Sequence, residues 1–307
     1  MRLCGDVTMR NKILTEDIPK VKQLLADIFG TGDYENIARM GGLTNHTYKV
    51  TLSGGDEYIV RIPGEGTEEM IVRSDELTST KLACELKIDA DLLYFGRDGS
   101  KVTRFIPNAV TMSSDLLRQP KHIEQVAEIL NKLHTCGADT GVPFDVFDMA
   151  AEYEKIIVSK NIPLYDDYPA KKVEIMQIKR EIDASVNAPN VPCHNDPLCE
   201  NWIEGDGRMY LIDWEYAGMN DGMWDVADVS IEASFDKDDD TRLLTSYLGR
   251  TPTLSDRKHF LASKIFVDFL WTLWAKTRVP YDGQPMEDWA LERYTRLKGF
   301  LDEFKQC

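Results

Sequence analysis

The hydrophobic pattern at the start of the chain predicts one helix and two hairpins. Apolar side chains recur at helical spacing over residues 15–30, which predicts an amphipathic packing helix. Residues 47–52 and 57–62 then alternate apolar and polar positions around a turn of serine, glycine and aspartate, a strong hairpin signal. Residues 92–94 and 102–106 repeat this arrangement around a second turn that contains glycine.

Beyond Pro107 the pattern becomes mainly helical. Proline at this position cannot donate to a strand ladder, so the predicted sheet ends here. The chain is therefore predicted to be α+β, with a small antiparallel-sheet lobe over residues 1–107 and a larger, mainly helical lobe over residues 108–307. Helix candidates in the second lobe are residues 120–134, 150–160 and 170–185.

Composition excludes several classes of protein. The formal net charge of -16 argues against a nucleic-acid binder, because affinity for phosphate backbones comes from clusters of lysine and arginine. The most apolar run, residues 260–275, contains Lys264 and Asp268 and is shorter than a bilayer span, so no membrane helix is predicted. Because residues 1–31 carry no secretory pattern and the six cysteines lack zinc-like spacing, we expect a cytoplasmic protein with reduced thiols.

The strongest chemical signal lies between residues 193 and 225. Asp196, in the sequence His-Asn-Asp, is followed five positions later by Asn201, and a short apolar run over residues 209–212 leads directly to Asp213. Kinases use this Asp-x-x-x-x-Asn spacing and a later Asp to place a base beside the substrate hydroxyl and two oxygens on Mg²⁺. The segment therefore predicts phosphoryl transfer, with Asp196 as base and Asn201 and Asp213 as metal ligands.

Four other residues, of which His134 lies outside this segment, invite different interpretations. Cys193 and His194 are adjacent in sequence and point apart in an extended segment, which disfavours a Cys-His nucleophile. His134 ends an apolar helix face, a position more typical of a satisfied core or cap residue than of a catalytic one. Asp225 is compatible with a ligand-facing acid, but we favour a buried acceptor that fixes the catalytic loop.

Candidates for phosphate binding lie in the first lobe. The pair Gly41-Gly42 precedes a predicted strand, where it would let the backbone approach phosphates, although an ordinary tight turn explains a lone glycine pair as well. Arg61 lies in the predicted strand Ile59–Ile62, and its guanidinium suits bidentate contact with phosphate. Glu76, at a predicted helix start, is its candidate partner, and Asp75 and Glu85 are alternatives.

Taken in order, these motifs resemble those of the choline/ethanolamine kinase family, within the aminoglycoside phosphotransferase and protein-kinase-like group. The resemblance covers nearly the whole chain and is most specific at Asp213-Trp214-Glu215-Tyr216 with Asp225 and Glu232. The chain departs from the wider group in having arginine for lysine at position 61 and in lacking a G-x-G-x-x-G loop. The matching segments are Gly41 to Asn45, Arg61, Phe105-Ile106-Pro107, His194-Asn195-Asp196 with Asn201, and Ile212 to Tyr216.

The resemblance implies a two-lobed protein-kinase-like fold that uses ATP and Mg²⁺ to phosphorylate an amino-alcohol hydroxyl. It assigns nucleotide binding to Gly41, Gly42, Thr44, Asn45, Arg61, Glu76, Arg104, Phe105 and Ile106. It assigns substrate binding to Asp196, Glu215, Glu232, Trp271, Trp274 and Trp289.

The three tryptophans favour choline as the substrate. A quaternary ammonium has no N–H to donate, so its receptor must use aromatic faces and a nearby carboxylate, for which Glu232 is the candidate. Trp271 and Trp274 lie three residues apart on one predicted helical face, and Trp289 lies on the next helix, beyond a predicted loop over residues 280–285. This spacing alone would also fit a packed core. Ethanolamine is the alternative acceptor, whereas an aminoglycoside or a catalytically silent binding module is disfavoured. We expect a cytoplasmic choline kinase, monomeric or homodimeric, with neither nucleic acid nor membrane as partner.

Overall fold

The computed structural model of the chain describes residues 13–41, 45–64 and 71–307. These residues form two compact units: one runs to Thr111 and also includes Asn201–Tyr216, and the other consists of Met112–Glu200 and Ala217–Cys307. The sequence places a single boundary at Pro107, whereas the structure groups a later segment with the first unit. This segment is the one that carries Asn201 and Asp213.

The first unit is built on a five-stranded antiparallel sheet. Its strand order is β1-β2-β3-β5-β4, and both predicted hairpins are confirmed, as β2 with β3 and as β4 with β5. Helix α1 ends where Gly30, at a φ of 74°, donates its N–H to the carbonyl of Ala26. The elements are α1 (Ile18–Phe29), β1 (Asn36–Gly41), β2 (Asn45–Thr51), β3 (Glu57–Pro63), α2 (Arg73–Glu85), β4 (Leu92–Phe95) and β5 (Lys101–Arg104).

A smaller sheet attaches Asn201–Tyr216 to this unit. It has the order β6-β8-β9, formed by β6 (Val110–Thr111), β8 (Trp202–Gly205) and β9 (Arg208–Leu211). The Leu211 N–H donates to the carbonyl of Ile88 at 3.1 Å, and Ile203 and Tyr210 pack with Ala90 and Ile106 in one buried cluster. These bonds and apolar contacts explain why the hairpin groups with a sheet that is distant in sequence.

The second unit is mainly helical, with one two-stranded sheet in which β7 pairs with β10. The helix predicted over residues 120–134 is confirmed with those bounds. The elements are α3 (Ser114–Leu117), α4 (Pro120–His134), α5 (Val146–Ser159), α6 (Tyr168–Ser185), β7 (Asn190–Cys193), β10 (Gly218–Asp221), α7 (Met223–Glu232), α8 (Lys237–Leu248), α9 (Leu254–Asp282) and α10 (Gln284–Phe304).

The connection between α9 and α10 differs from the predicted loop over residues 280–285. Helix α9 continues through Pro280 to Asp282, and Gly283 alone, at a φ of 71°, separates it from α10. Beyond the proline the helix closes with a bond from the Gly283 N–H to the carbonyl of Val279 at 2.9 Å. The tryptophan-bearing parts of the two helices consequently lie side by side.

The predicted α+β class is confirmed by this combination of an antiparallel sheet unit and a helical unit. In the part of the chain that the structure describes, every helix is either too short or too polar to cross a bilayer.

Candidate functional site

The loop that follows β7 carries the predicted catalytic residue. Asp225, in the first turn of α7, is fully buried and accepts the backbone N–H groups of His194 at 2.7 Å and of Asn195 at 2.8 Å. Two bonds from adjacent amides to one carboxylate fix the direction of the loop immediately before Asp196. The predicted role of Asp225 as a buried acceptor for this loop is confirmed.

Asn195 holds the same loop in a special backbone conformation. Its φ is 67°, in the left-handed region that asparagine tolerates better than most residues. Its side-chain oxygen accepts a hydrogen bond from Asn220 at 3.0 Å, and its carbonyl accepts one from the Trp224 indole at 3.0 Å. The half-buried Asp196 thus follows a residue that is fixed on both its backbone and its side chain.

His134 and Cys193 are buried beside this loop. Nε2 of His134 lies 3.1 Å from Asp225 Oδ2, and its Nδ1 lies 2.8 Å from the hydroxyl of Tyr247, so His134 is the satisfied core residue that the sequence predicts. Burial raises the pKa of the Cys193 thiol well above its usual range, and Sγ faces the carbonyl of Asn220 at 3.5 Å. A protonated thiol of this kind is a poor nucleophile.

Asp225→Asn is expected to destabilise the second unit. Because the amide nitrogen cannot accept a hydrogen bond, one of the two loop amides loses its partner in a buried place, which costs about 1–3 kcal/mol in the free energy of unfolding. Urea unfolding measures this loss. Asp288→Asn, the same change at an exposed carboxylate, is the control. Equal stability of both variants would contradict the role of Asp225.

Asn201 and Asp213 flank the β8–β9 hairpin of the first unit. The Ile212 N–H donates to the carbonyl of Asn201 at 2.9 Å, which extends the pairing of the hairpin by one step and brings the two predicted ligands together. Asp213 has a φ of 70°, a conformation that is uncommon for aspartate and concentrated at functional sites. Its side chain is 35% exposed, whereas Asn201 is nearly buried.

These two residues fit a magnesium ion in chemical terms. An amide oxygen and a partly exposed carboxylate, adjacent in one unit, form the kind of sparse hard-oxygen set on which Mg²⁺ completes its shell with water and nucleotide phosphates. Arg61 Nη1 lies 3.2 Å from Asp213 Oδ1, so the carboxylate is oriented by a cation as well as by its backbone.

Arg61 and Glu76 form the predicted ion pair in the interior of the first unit. Arg61 Nη2 is 2.5 Å from Glu76 Oε1 and donates to the carbonyl of Gly99 at 3.0 Å. Burial opposes the charge of this guanidinium, but the carboxylates of Glu76 and Asp213 raise its pKa above the usual value. Neither of the alternatives considered for this partner, Asp75 or Glu85, is needed.

Arg73 is a second cation of this cluster that the sequence analysis did not single out. It lies at the start of α2, with Nη1 2.6 Å from Glu76 Oε2 and 3.7 Å from Glu215 Oε2. Asn45 donates to the same Glu215 oxygen at 3.1 Å. Glu215, predicted to bind substrate, is therefore placed among the residues predicted to bind nucleotide. Arg73 and Glu76 lie three residues apart in the sequence, about one helical turn, and this spacing is a signal by which Arg73 can be identified.

The other predicted nucleotide contacts are distributed around the sheet. Gly41 ends β1, whereas Gly42 and Thr44 lie outside the described residues. Arg104 is exposed, with Nε 4.0 Å from Asp91, and the Phe105 ring has Lys49 Nζ 3.7 Å from its centroid. The Ile106 side chain packs in the buried cluster with Tyr210, so a nucleotide contact at this position would involve its backbone.

Asp89 is a buried carboxylate of the first unit without a full set of partners. Oδ1 accepts the N–H of Ala90 at 2.6 Å, and Oδ2 has no hydrogen-bond partner among the residues that the structure describes. Burial raises the pKa of Asp89 to about 6, against the opposing effect of Lys101.

Asp89→Asn is expected to remove part of the pH dependence of stability. Because burial raises the pKa of Asp89 from 3.8 to about 6, the folded state holds the proton more tightly than the unfolded chain. The resulting stabilisation, about 3 kcal/mol, is present at low pH and is lost as the pH rises through the folded-state pKa. Urea unfolding should show the unmodified protein losing stability relative to Asp89→Asn between about pH 4 and 6. Parallel pH profiles would exclude this assignment.

The three tryptophans predicted to bind the substrate cation, Trp271, Trp274 and Trp289, lie in contact in the second unit. Trp271 and Trp274 on α9 have ring centroids 6.0 Å apart at an interplanar angle of 88°, and Trp274 and Trp289 are 5.9 Å apart at 78°. Trp271 is buried, whereas the other two are half-buried. Glu232, predicted as the accompanying carboxylate, is 18% exposed and accepts a hydrogen bond from Arg293.

Comparisons with known proteins identify the family to which the chain is similar. A family model described as choline/ethanolamine kinase matches residues 37–274. A choline/ethanolamine kinase family protein from Mesorhizobium loti is 31% identical, with a TM-score of 0.83 over 94% of this chain and 96% of that one. Choline kinase LicA from Streptococcus pneumoniae is 29% identical, with a TM-score of 0.81 over 94% of this chain and all, 100%, of that one.

A third similar structure contains a nucleotide. LicA in complex with AMP is 26% identical, with a TM-score of 0.74 over 93% of this chain and 98% of that one. The chain therefore shares the predicted kinase-like fold over nearly its whole length.

Proposed function

Since the chain belongs to the choline/ethanolamine kinase family and is a phosphotransferase, we propose that it transfers the γ-phosphate of ATP to the hydroxyl of choline. The products are phosphocholine and ADP. The contact of three tryptophan rings in the second unit is the observation that carries the choice of choline. One LicA of similar structure was solved in complex with AMP and another is a choline kinase, which supports both substrates of the proposed reaction.

Asp196 is proposed to orient the choline hydroxyl and to accept its proton as the oxygen attacks the γ-phosphate. A general base must present its carboxylate in a fixed direction, because proton transfer requires hydrogen-bond geometry. This rigidity comes from the two hydrogen bonds that the amides of His194 and Asn195 donate to Asp225 and from the fixed Asn195 side chain. The loop therefore supports the role of Asp196, which its sequence spacing first suggested.

Asn201 and Asp213 are proposed to hold Mg²⁺, and Arg61 to contact the phosphates of ATP. When bound, the metal neutralises charge on the transferring phosphate. Arg61 is buried, paired with Glu76 and 3.2 Å from Asp213, so its guanidinium is fixed against the residues that would hold the metal. Glu76 thus acts by positioning Arg61. The reaction is proposed to take place in the cytoplasm.

The aromatic residues favour choline over ethanolamine. Each tryptophan face offers about 0.5–2 kcal/mol to a cation without requiring an N–H group, which suits a trimethylammonium. A primary ammonium gains more from hydrogen-bond acceptors, and Glu232 is already bonded to Arg293. Aminoglycosides carry several cations and call for a wide acid-lined surface, which the three rings do not form.

An assay of ADP release with three acceptors tests this proposal. We expect turnover with choline, a lower kcat/KM with ethanolamine through a higher KM, and no stimulation by an aminoglycoside. Trp274→Leu should raise the KM for choline about tenfold or less, since one ring face is lost. Tyr281→Leu is the control, because Tyr281 is an exposed aromatic residue whereas a fully buried one such as Trp202 would affect folding. Higher kcat/KM with ethanolamine than with choline would contradict the proposed substrate.

A further inference from the structure

Arg293 lies against the same ring and the same carboxylate that the proposed function offers to the substrate cation. Its guanidinium carbon is 4.2 Å from the centroid of the Trp289 ring. One terminal nitrogen donates to the carboxylate of Glu232, and the other donates to Asp268 Oδ1 at 3.1 Å. With an exposed fraction of 3%, this side chain is a fixed cation inside the protein.

The surrounding charges make Arg293 the counterion of Glu232 in particular. Asp268, fully buried, also accepts two hydrogen bonds from Arg296, at 2.8 Å through Nε and 2.6 Å through Nη2. Asp268 would therefore keep a cationic partner without Arg293. Glu232 is bonded to Arg293 through the second arm of the guanidinium fork.

Asp228 is a further carboxyl group close to Glu232 and Arg293. It lies one turn before Glu232 on α7 and is fully buried, and neither of its carboxylate oxygens has a hydrogen-bond partner within the described residues. Burial, and then the charge of Glu232, raise the pKa of Asp228 well above its usual range. Burial therefore favours the uncharged form of this carboxyl group, and Glu232 and Arg293 compensate each other.

We propose that Arg293 is a specificity-determining residue that disfavours primary ammonium substrates by occupying Glu232 and one face of Trp289. The inference rests on the proposed function, because it concerns the cation that the three tryptophans bind. A trimethylammonium has no N–H group, so it loses no hydrogen bond when Glu232 is already engaged. Ethanolamine's ammonium has three donors and loses its acceptor in the same arrangement.

Arg293, a cation of the protein itself, thus disfavours binding of the smaller substrate. Choline and ethanolamine would experience similar repulsion from the guanidinium charge, because each carries one positive charge. Only ethanolamine must also give up hydrogen bonds to a carboxylate, and such charge-assisted bonds are among the stronger ones. The two substrates are therefore separated by the state of Glu232 more than by the space between the rings.

Arg293→Met tests the proposal, with kcat/KM measured for choline and for ethanolamine on the full chain. Methionine keeps an unbranched side chain of similar reach, but it removes the charge and the donors. We expect kcat/KM for ethanolamine relative to choline to rise about tenfold, mainly through a lower KM for ethanolamine. A general loss of structure would instead lower both values without changing their ratio in this direction.

Arg296→Met is the matched control. Arg296 donates to Asp268, as Arg293 does, but the described hydrogen bonds of the Arg296 side chain go to this carboxylate and not to Glu232. It should leave the substrate ratio unchanged. An unchanged ratio in Arg293→Met, or the same shift in both variants, would overturn the inference. Failure of the unmodified protein to phosphorylate either alcohol would instead refute the proposed function.

Arg293→Lys covers the case in which Arg293→Met does not fold, as judged by thermal unfolding. A single ammonium on a flexible stem cannot replace two arms of a planar fork, so it frees Glu232 for part of the time. We expect a smaller shift towards ethanolamine in this variant. If Arg293→Met does not fold, an unchanged ratio of kcat/KM for ethanolamine to that for choline in folded Arg293→Lys overturns the inference.

Discussion

Asp196→Asn is expected to lower kcat for choline phosphorylation by about 10²- to 10⁴-fold, the range that a positioned general base contributes. The amide keeps the size of the side chain but cannot accept the hydroxyl proton. Because Asn195 and Asp225 continue to hold the loop, the protein should remain folded and the KM for ATP should change little. Steady-state kinetics with saturating choline and a thermal unfolding profile measure both effects.

Asp166→Asn is the control for this prediction, because Asp166 is an exposed loop carboxylate of the same unit. It should keep full activity and stability. A loss of less than about tenfold in folded Asp196→Asn would contradict the assignment of Asp196 as the base, since the lower end of the expected range is larger.

Asp213→Asn is expected to lower activity by about 10²-fold or more and to raise the concentration of Mg²⁺ needed for half-maximal rate. An amide oxygen carries no net charge and binds Mg²⁺ more weakly than a carboxylate does. The variant also loses the charge that attracts Arg61, whose Nη1 lies 3.2 Å from Asp213 Oδ1. Direct calorimetric titration of Mg²⁺ in the presence of a non-hydrolysable ATP analogue measures the affinity independently of turnover.

Asp206→Asn provides a closely matched control for Asp213. Both aspartates adopt positive φ angles on the β8–β9 hairpin, 49° for Asp206 and 70° for Asp213, and Asp206 is exposed in the turn. Any effect of placing asparagine in a left-handed conformation is therefore shared by the two variants. Equal magnesium affinity in both variants would exclude Asp213 as a ligand.

Local patterns allowed several elements to be predicted from the sequence. The two hairpins of the first unit follow from strict alternation around glycine turns, because both signals act within a few residues. The bounds of α4 agree with prediction because Pro120 suits a first helical turn and the apolar period continues to His134. The roles of His134 and Asp225 were also predicted, since few polar groups are buried without a partner.

Features that depend on distant contacts were not predicted. Strand β1 has no distinctive pattern of its own and is defined by its pairing with β2. The grouping of Asn201–Tyr216 with the first unit depends on the bond from Leu211 to Ile88, which are far apart in sequence. The prediction of a loop over residues 280–285 was wrong, since helix α9 continues through Pro280 to Asp282 and tertiary context overrides the local helix-breaking signal.

Two arginines, Arg73 in the first unit and Arg293 in the second, show the same limitation. Arg73 is identified by the carboxylates around it, Glu76 and Glu215, of which only the first is near in sequence. Arg293 lies four residues after Trp289, a helical spacing that indicates a shared face. Its proposed effect on substrate choice depends on its hydrogen bond to Glu232, which lies on another helix.

Direct detection of phosphocholine tests the proposal that choline accepts the γ-phosphate of ATP. The full chain would be incubated with choline, ATP and Mg²⁺, and the products followed by phosphorus NMR beside the same reaction with Asp196→Asn. We expect a phosphocholine signal to grow at the rate at which the γ-phosphate signal of ATP declines, and the variant to form phosphocholine at least about 10²-fold more slowly. Loss of the γ-phosphate to inorganic phosphate alone, with no phosphocholine formed by the unmodified protein, would refute transfer to choline.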